Sequence, residues 1–250
     1  MTEKVKVDNK LKRKKRLIII IILIFLISIL SILLLTQTTF FNVENIEIKG
    51  NSIVKKDEIL MASGINEGEN IFRISIKKTE SSLLKHPYIK EVKINRRFPN
   101  KIIIDLVERK DTLAYEINDT YIIMDSEGYV VNILSEFKNK NIPLIKGDKE
   151  INAKVSEKID FEDYSFLEDI LYMLSICNQN DFSFNIHNIL QEKEGIILEL
   201  NLGTYIAFGR LDDVEYKLRL MNEIIKDLQD KEIFPEKIYL NKGKNPIIVK

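Results

Sequence analysis

Thiol and imidazole chemistry is sparse in this chain: one cysteine, Cys177, and two histidines, His86 and His187, stand among 250 residues. A zinc centre needs three or four such ligands at short spacings, and neither histidine stands at such a spacing from Cys177. Cys177, His187 and an arginine are the residue types of a membrane-anchored cell-wall transpeptidase, whose thiolate attacks an acyl group. Cys177 falls, however, at the end of an amphipathic helical pattern, where a thiol is normally buried and inert. His86 precedes Pro87, and His187 lies within an apolar strand pattern. No nucleophile elbow, phosphate-cradling glycine loop or paired-carboxylate signature occurs. Most Asp and Glu residues fall on the solvated faces of helical patterns. The residue types therefore point to no catalytic, cofactor or metal site, and binding is the better-motivated chemistry.

Whatever binds is held at a membrane. The uncharged run Leu17 to Leu35 is roughly nineteen residues long, which at about 1.5 Å of rise per residue nearly matches a hydrocarbon core. Backbone in lipid must satisfy its own hydrogen bonds, so the run is expected to be a transmembrane helix over 17–36. Before it stand Lys10, Lys12, Arg13, Lys14, Lys15 and Arg16, with Lys4 and Lys6 further out and only Glu3 and Asp8 opposing. Residues 36–42 carry no charge. Cytoplasmic flanks retain Lys and Arg, so the tail 1–16 is expected inside and the bulk outside, a single-pass type II topology. A cleaved signal peptide fits less well. The apolar run exceeds the usual length of about 7 to 15 residues, and Gln37-Thr38-Thr39-Phe40 offers no small-x-small site. Ser28 and Ser31 share one helix face, but serine is tolerated in lipid, and a plain anchor is the simpler reading.

Composition bounds the rest. Thirty-eight basic residues balance thirty-eight acidic ones, so no global field draws in nucleic acid. A single cysteine forms no intramolecular disulfide, so packed cores must supply stability.

Val43, Ile46 and Ile48 introduce a strand that turns at Gly50-Asn51. Lys55 to Ser63 is helical, with Ile59 and Leu60 on one face and Gly64 at a left-handed C-cap. Ile71 and Phe72 are expected to plug a core. Ser75 to Lys85 follows as a helix with a stripe of Ile76, Thr79, Leu83 and Leu84, stopped at His86-Pro87. Ile89, Val92 and Ile94 mark a strand closed by Arg96-Arg97; Phe98-Pro99-Asn100 turns it into a second strand of Ile102, Ile104 and Leu106. The order is β-α-α-β-β over about 65 residues, an α+β solution. Beyond it, 121–124 and 129–133 form a hairpin, and Pro143 to Gly147 a strand ending in a turn. A helix runs from about Asp163 to Asn178, and strands span 184–190, 196–200 and 205–208, the last pair turning at Asn201-Leu202-Gly203. A long helix spans about Asp212 to Lys231, and 237–240 and 247–249 are the final strands. The whole is α+β, with boundaries of 40–110 for the first outward domain and 111–250 for a mostly antiparallel one with two helices.

A short basic tail, one span and β-α-α-β-β resemble the FtsQ/DivIB bacterial cell-division proteins. The matching motifs are Phe41-x-Val43-x-x-Ile46-x-Ile48-x-Gly50-Asn51, Gly68-x-Asn70-Ile71-Phe72, Leu84 with Tyr88-Ile89, and Pro99-Asn100-x-Ile102-x-Ile104. Val107-Glu108-Arg109, Asp125-x-x-Gly128, Pro143-Leu144-Ile145-x-Gly147 and Phe208-Gly209 with Lys217-Leu218 continue it. The usual proline after the Glu-Arg pair is replaced by Lys110-Asp111, and the aromatic anchors of some relatives do not follow Tyr239.

The resemblance implies a POTRA domain and the family's β domain. It also implies no catalytic activity, no cofactor and no small-molecule substrate. The implied partners are FtsL-like and FtsB/DivIC-like bitopic division proteins, and the implied task is positioning and regulating septal peptidoglycan synthesis from outside the membrane. Strand-accepting edges are the expected contact. The first is Ile247, Ile248 and Val249, which no later element covers; the alternative is that they merely complete the core. The second is the strand Ile89 to Asn95 with Lys90 and Lys93, because the middle POTRA strand lies outside. Two other classes stay open: a POTRA-bearing export or chaperone module, weakened by the lack of a barrel and of further POTRA units, and an anchored cell-wall enzyme, weakened by the missing nucleophile and base.

Overall fold

The computed structural model describes residues 2–139, 141–147, 151–161, 164–193, 195–201, 203–241 and 246–249. Two compact units emerge: Met1–Leu84 with Glu91–Val107, and Lys85–Lys90 with Glu108–Lys250.

The first unit begins with α1 (Thr2–Thr36), which runs back through the basic tail, further than the apolar run alone requires. Its segment Lys14–Leu34 is 21 residues long and contains an 18-residue apolar window of mean hydropathy 3.6, none of that window buried. At about 1.5 Å per residue it reaches about 31 Å, the thickness of a hydrocarbon core. A helix apolar all round and packed against no protein is at home in lipid. Lys14, Lys15 and Arg16 are exposed at its entry, while the side chains of Lys12 and Arg13 lie outside the described residues.

A 3₁₀ turn, Thr39–Phe41, leads into β1 (Asn45–Lys49), α2 (Lys56–Ser63), α3 (Ile76–Leu83), β2 (Ile89–Arg97) and β3 (Lys101–Glu108). The expected β-α-α-β-β order is therefore present. The sheet order is β1-β3-β2, with β1 parallel to β3 and Asn45 opposite Lys101. Ile102, Ile104 and Leu106 alternate inward from β3, and Ile59 of α2 and Leu83 of α3 are fully buried. Gly64 caps α2 at φ +66°, as expected.

Two side chains depart from expectation. Ile71 is fully buried, but Phe72 is 43% exposed and Leu84 is also exposed. Leu84 is the C-cap of α3, where the helical stripe no longer holds. A three-residue connector can aim only one of two adjacent side chains inward, and Ile71 takes that place.

The second unit is built from β4 (Leu113–Ile117), β5 (Thr120–Met124), β6 (Val130–Leu134), β7 (Leu144–Lys146), α4 (Ser165–Gln179), β8 (Ile186–Glu192), β9 (Gly195–Leu200), β10 (Tyr205–Gly209), α5 (Val214–Asp230), β11 (Lys237–Tyr239) and β12 (Ile247–Val249). Among the described residues it forms one sheet ordered β12-β11-β10-β9-β8-β7-β4-β5-β6. Antiparallel pairs outnumber parallel ones, which are β4–β7, β7–β8 and β10–β11. Strand β4 is absent from the sequence reading. It turns into β5 at Asn118-Asp119, both at positive φ, the backbone of a tight hairpin turn. The expected start of α4 at Asp163 and the middle of the turn at Leu202 lie outside the described residues.

One sheet face packs on α4 and α5. Leu167, Ile170, Leu171 and Leu174 meet Leu218, Met221 and Ile225 over Leu113, Ile145, Leu198 and Phe208. The opposite face of β4-β5-β6 carries its own small cluster of Ala114, Ile123, Val131 and Ile142. Strands buried on both faces lose the period-two signal, so β4 reads poorly from sequence.

Gly50 holds φ +82°, and a Cβ there would lie 2.0 Å from the carbonyl oxygen of Leu106. Strain and clash together predict that Gly50→Ala destabilises the first unit by about 3 kcal/mol. The check is faster hydrogen exchange at the amides of Ile102 to Leu106 in the detergent-solubilised chain.

Candidate partner-binding edge

The residues Ile247, Ile248 and Val249 form the outermost strand of the second unit's sheet among the described residues. They pair antiparallel with β11: Tyr239 opposite Ile247, Ile238 opposite Ile248, and Lys237 opposite Val249. Opposed residues share a face, so Ile248 lies beside the buried Ile238 on the helix-covered side. All three are nevertheless 42–47% exposed. They border the core and do not complete it. Half-exposed β-branched residues on an outermost strand are what an added strand would cover.

The support for this edge is local. α5 links β10 to its parallel neighbour β11. Lys217 in its first turn donates to the carbonyl of Arg210 at 2.8 Å, ion-pairs with Asp212 and sits 5.4 Å above the Phe208 ring. The ammonium group beside Asp212 holds that carboxyl below its ordinary range. This clasp fixes the end of β10 to the start of α5, and so sets where β11 lies. Thr204 donates to the carbonyl of Pro235 at 2.9 Å, tying in the approach to β11. On the helix side a cavity of about 30 Å³ is lined by Phe184, Leu228, Ile233, Phe234 and Ile238, among others. Phe234 is largely exposed at its rim. A shallow groove near the α4 and α5 surfaces, bounded by Asp169, Tyr172, Leu211, Tyr216 and Arg219, exposes both tyrosines. These aromatics went unnoticed in the sequence. The available signal was position: Tyr172 and Tyr216 fall off the apolar stripes of their helices.

At the other candidate edge the structure separates the two lysines. β2 is outermost in its three-stranded sheet, and Lys93 is exposed. Lys90 instead pairs with Glu127 at 2.9 Å. Part of the β2 edge is already used, because the backbone N–H of Ile94 donates to the Glu80 carboxylate of α3 at 3.0 Å. Arg96 donates to the carbonyls of Ile71 and Ile74.

Residues 41–109 match the family model of the POTRA domain, FtsQ-type. The chain is 33% identical over 214 residues to the cell division protein DivIB of Clostridium tetani, a match covering 84% of this chain and 79% of that protein. It is 30% identical over 225 residues to DivIB of Clostridium botulinum, covering 90% and 86%. This chain belongs to the DivIB/FtsQ family of cell division proteins. A shorter match, 35% identical over 92 residues, joins it to cell division protein FtsQ of Rickettsia felis, covering 37% of this chain and 34% of that one.

Two of the motifs that carry the family resemblance meet in space. The guanidinium of Arg109 pairs with the Asp125 carboxylate, their side chains 11% and 4% exposed. It also lies 3.7 Å from the Tyr129 ring centre. Asp125 accepts from the backbone N–H groups of Glu127 and Tyr129, each at 2.9 Å, closing the Asp-x-x-Gly turn. The Lys90 ammonium, then Arg109, hold the Glu127 carboxyl below its usual range. Two residues beyond Arg109, burial raises the Asp111 carboxyl while the Tyr88 hydroxyl bonds to it. Burial, then the Asp111 charge, pushes the Tyr88 phenol up to about 12.

Of the residues weighed for catalysis, His86 and Cys177 have structural occupations. Nδ1 of His86 accepts the Tyr88 backbone N–H at 3.2 Å, shaping the turn after Pro87. His187 lies in β8. Cys177 packs against the main core, and burial pushes its thiol up to about 12. Among the described residues no three His, Cys, Asp or Glu side chains are grouped to hold a metal.

Removing one member of a buried ion pair leaves the other charge uncompensated. Arg109→Ala is expected to cost the second unit about 3–5 kcal/mol, read as a lowered urea midpoint of β5–β6 hydrogen exchange. Lysine at 109 is expected to rescue only part, because it keeps the charge but loses the planar contact with Tyr129. Cys177 is expected to react with a thiol reagent at pH 8 about a thousandfold more slowly in the native chain than in urea, since its thiol is raised from 9.0 to about 12. The measurement is the time course of labelling.

Proposed function

We propose that this chain is a non-catalytic, bitopic scaffold of the division machinery. Its domain at 40–110 and its β domain at 111–250 stand outside the membrane, its basic tail 1–16 stays in the cytoplasm, and it works at the septum. Its partners are FtsL-like and FtsB/DivIC-like bitopic division proteins, and through them it helps position and regulate septal peptidoglycan synthesis. Family membership and the single apolar helix support this reading, and the positive charge of the tail favours the orientation.

The observation that carries it is the exposed outermost strand Ile247–Val249. A partner strand added there would gain backbone hydrogen bonds for affinity. Its alternate side chains would fall beside Ile248 on the helix side, next to the apolar cavity at Phe234. Tyr172, Tyr216 and Arg219 offer a neighbouring surface to a helical segment of the same partner. The edge at Lys93 is the lesser candidate, because Glu80 already occupies part of it.

A chain ending at Asn245, residue 245 itself lying outside the described residues, is expected to lose capture of an FtsL–DivIC pair from detergent extracts while keeping the hydrogen-exchange pattern of the first unit. Lys93→Pro in the same assay is expected to retain capture. Normal capture by the folded shortened chain would overturn the assignment of β12, and loss with Lys93→Pro alone would move the interface to β2.

A further inference from the structure

Four phenylalanines meet where the chain leaves the transmembrane helix. Phe40 and Phe41 contact edge to face at 5.2 Å, Phe41 and Phe72 tilt together at 5.2 Å, and Phe72 stacks on Phe98 at 5.2 Å. They come from three separate pieces of chain: the 3₁₀ turn after α1, the connector before α3, and the β2–β3 turn. Such rings normally form a core. Here Phe40, Phe72 and Phe98 are 66%, 43% and 59% exposed.

The backbone holds this cluster close to the end of the helix. The N–H of Gln37 returns to the carbonyl of Leu34, and the N–H of Phe41 to that of Thr38, so the chain coils on itself. Extended, the six residues from Leu34 to Phe40 would reach about 20 Å, well past a headgroup layer of roughly 5 to 7 Å. Coiled, they keep Phe40 near it. Asn70 Nδ2 donates to the Thr36 carbonyl at 2.8 Å, and Arg73 to the Gln37 side chain at 2.7 Å. Asn70 thus satisfies a terminal helix carbonyl that the hydrocarbon could not. The bridge Asn42–Asn70, the bond from the Ile71 N–H to the Phe41 carbonyl and the bond from the Glu44 N–H to the Asn100 carbonyl draw the other two pieces to the same end of the sheet.

We infer that this phenylalanine cluster is a membrane-seating surface that docks the POTRA unit onto the same bilayer its anchor crosses. The occupant is the headgroup–acyl boundary, where aromatic rings partition favourably. Exposed Arg73 and Arg97 neighbour the patch in the chain, but so do Glu44 and Glu69, so apolar contact drives the docking and zwitterionic lipid suffices. The surface is separate from the β12 edge and does not depend on it. Its consequence is mechanical: the unit is seated by its own side chains and not swung on a free linker.

The chain contains no tryptophan, so Phe98→Trp places a single reporter in the patch. Val107→Trp is the control, an exposed site near the far end of β3, about 20 Å away along the strand. Each full-length variant is reconstituted at low density in vesicles of phosphatidylcholine brominated on the upper acyl chain. The indole of the Phe98→Trp variant is expected to emit at shorter wavelength and to lose roughly half its intensity relative to unbrominated lipid, while that of the Val107→Trp variant loses little. If circular dichroism shows Phe98→Trp unfolded, Phe72→Trp is the reporter instead. Water-like, unquenched emission from the patch overturns the proposal. So does a blue-shifted but unquenched signal, which would mean a protein cover, or equal quenching at both sites, which would mean no preferred face.

Discussion

Backbone hydrogen bonds have to end somewhere, and where they end organises this protein. For a lone segment in lipid the only solution is a helix that closes its own ladder, which is what α1 does. Its last carbonyls are the awkward part, and Asn70, more than thirty residues away, reaches back to one of them. At the β2 edge the Glu80 carboxylate accepts the N–H of Ile94, and Arg96 donates to two carbonyls of the connector. The second unit's sheet instead ends in β12 with hydrophobic, half-exposed residues. One edge is closed in part by its own side chains. Among the described residues no further strand pairs with the outer side of the other.

The sequence motifs that mark the family acquire physical reasons in the fold. Val107-Glu108-Arg109 and Asp125-x-x-Gly128 are one device, since Arg109 supplies the counter-charge to an aspartate already committed to closing a turn. Phe208-Gly209 and Lys217-Leu218 are another: Lys217 ties the end of a strand to the start of a helix, while Leu218 enters the core. Neither device lies on β12 itself. Both hold in register the sheet from which that edge is built.

Much of the architecture was legible because its signals are local and strong. A span of uniform hydropathy, Gly64 after an amphipathic turn, Pro87 after a helix and the 98–100 turn between alternating strands each act within a few residues. What escaped was two-sided or remote. β4 is buried on both faces, so it lacks alternation, and its Asn118-Asp119 turn was the cue left unused. Phe72 looked like core because it is apolar and adjacent to Ile71; exposure is decided by which of two neighbours the connector turns inward. Lys90 looked like an ordinary edge lysine because Glu127, its partner, is remote from it in the chain.

The amino-acid order alone determined the anchor, the α+β class, the family motifs and the poverty of catalytic groups, because hydropathy, charge and residue type are properties of the chain itself. The fold alone decided which strand is outermost, which lysine is paired, and that four phenylalanines from three segments gather at the foot of the helix. Those facts depend on contacts between residues far apart in sequence, which come into being only when the chain has closed.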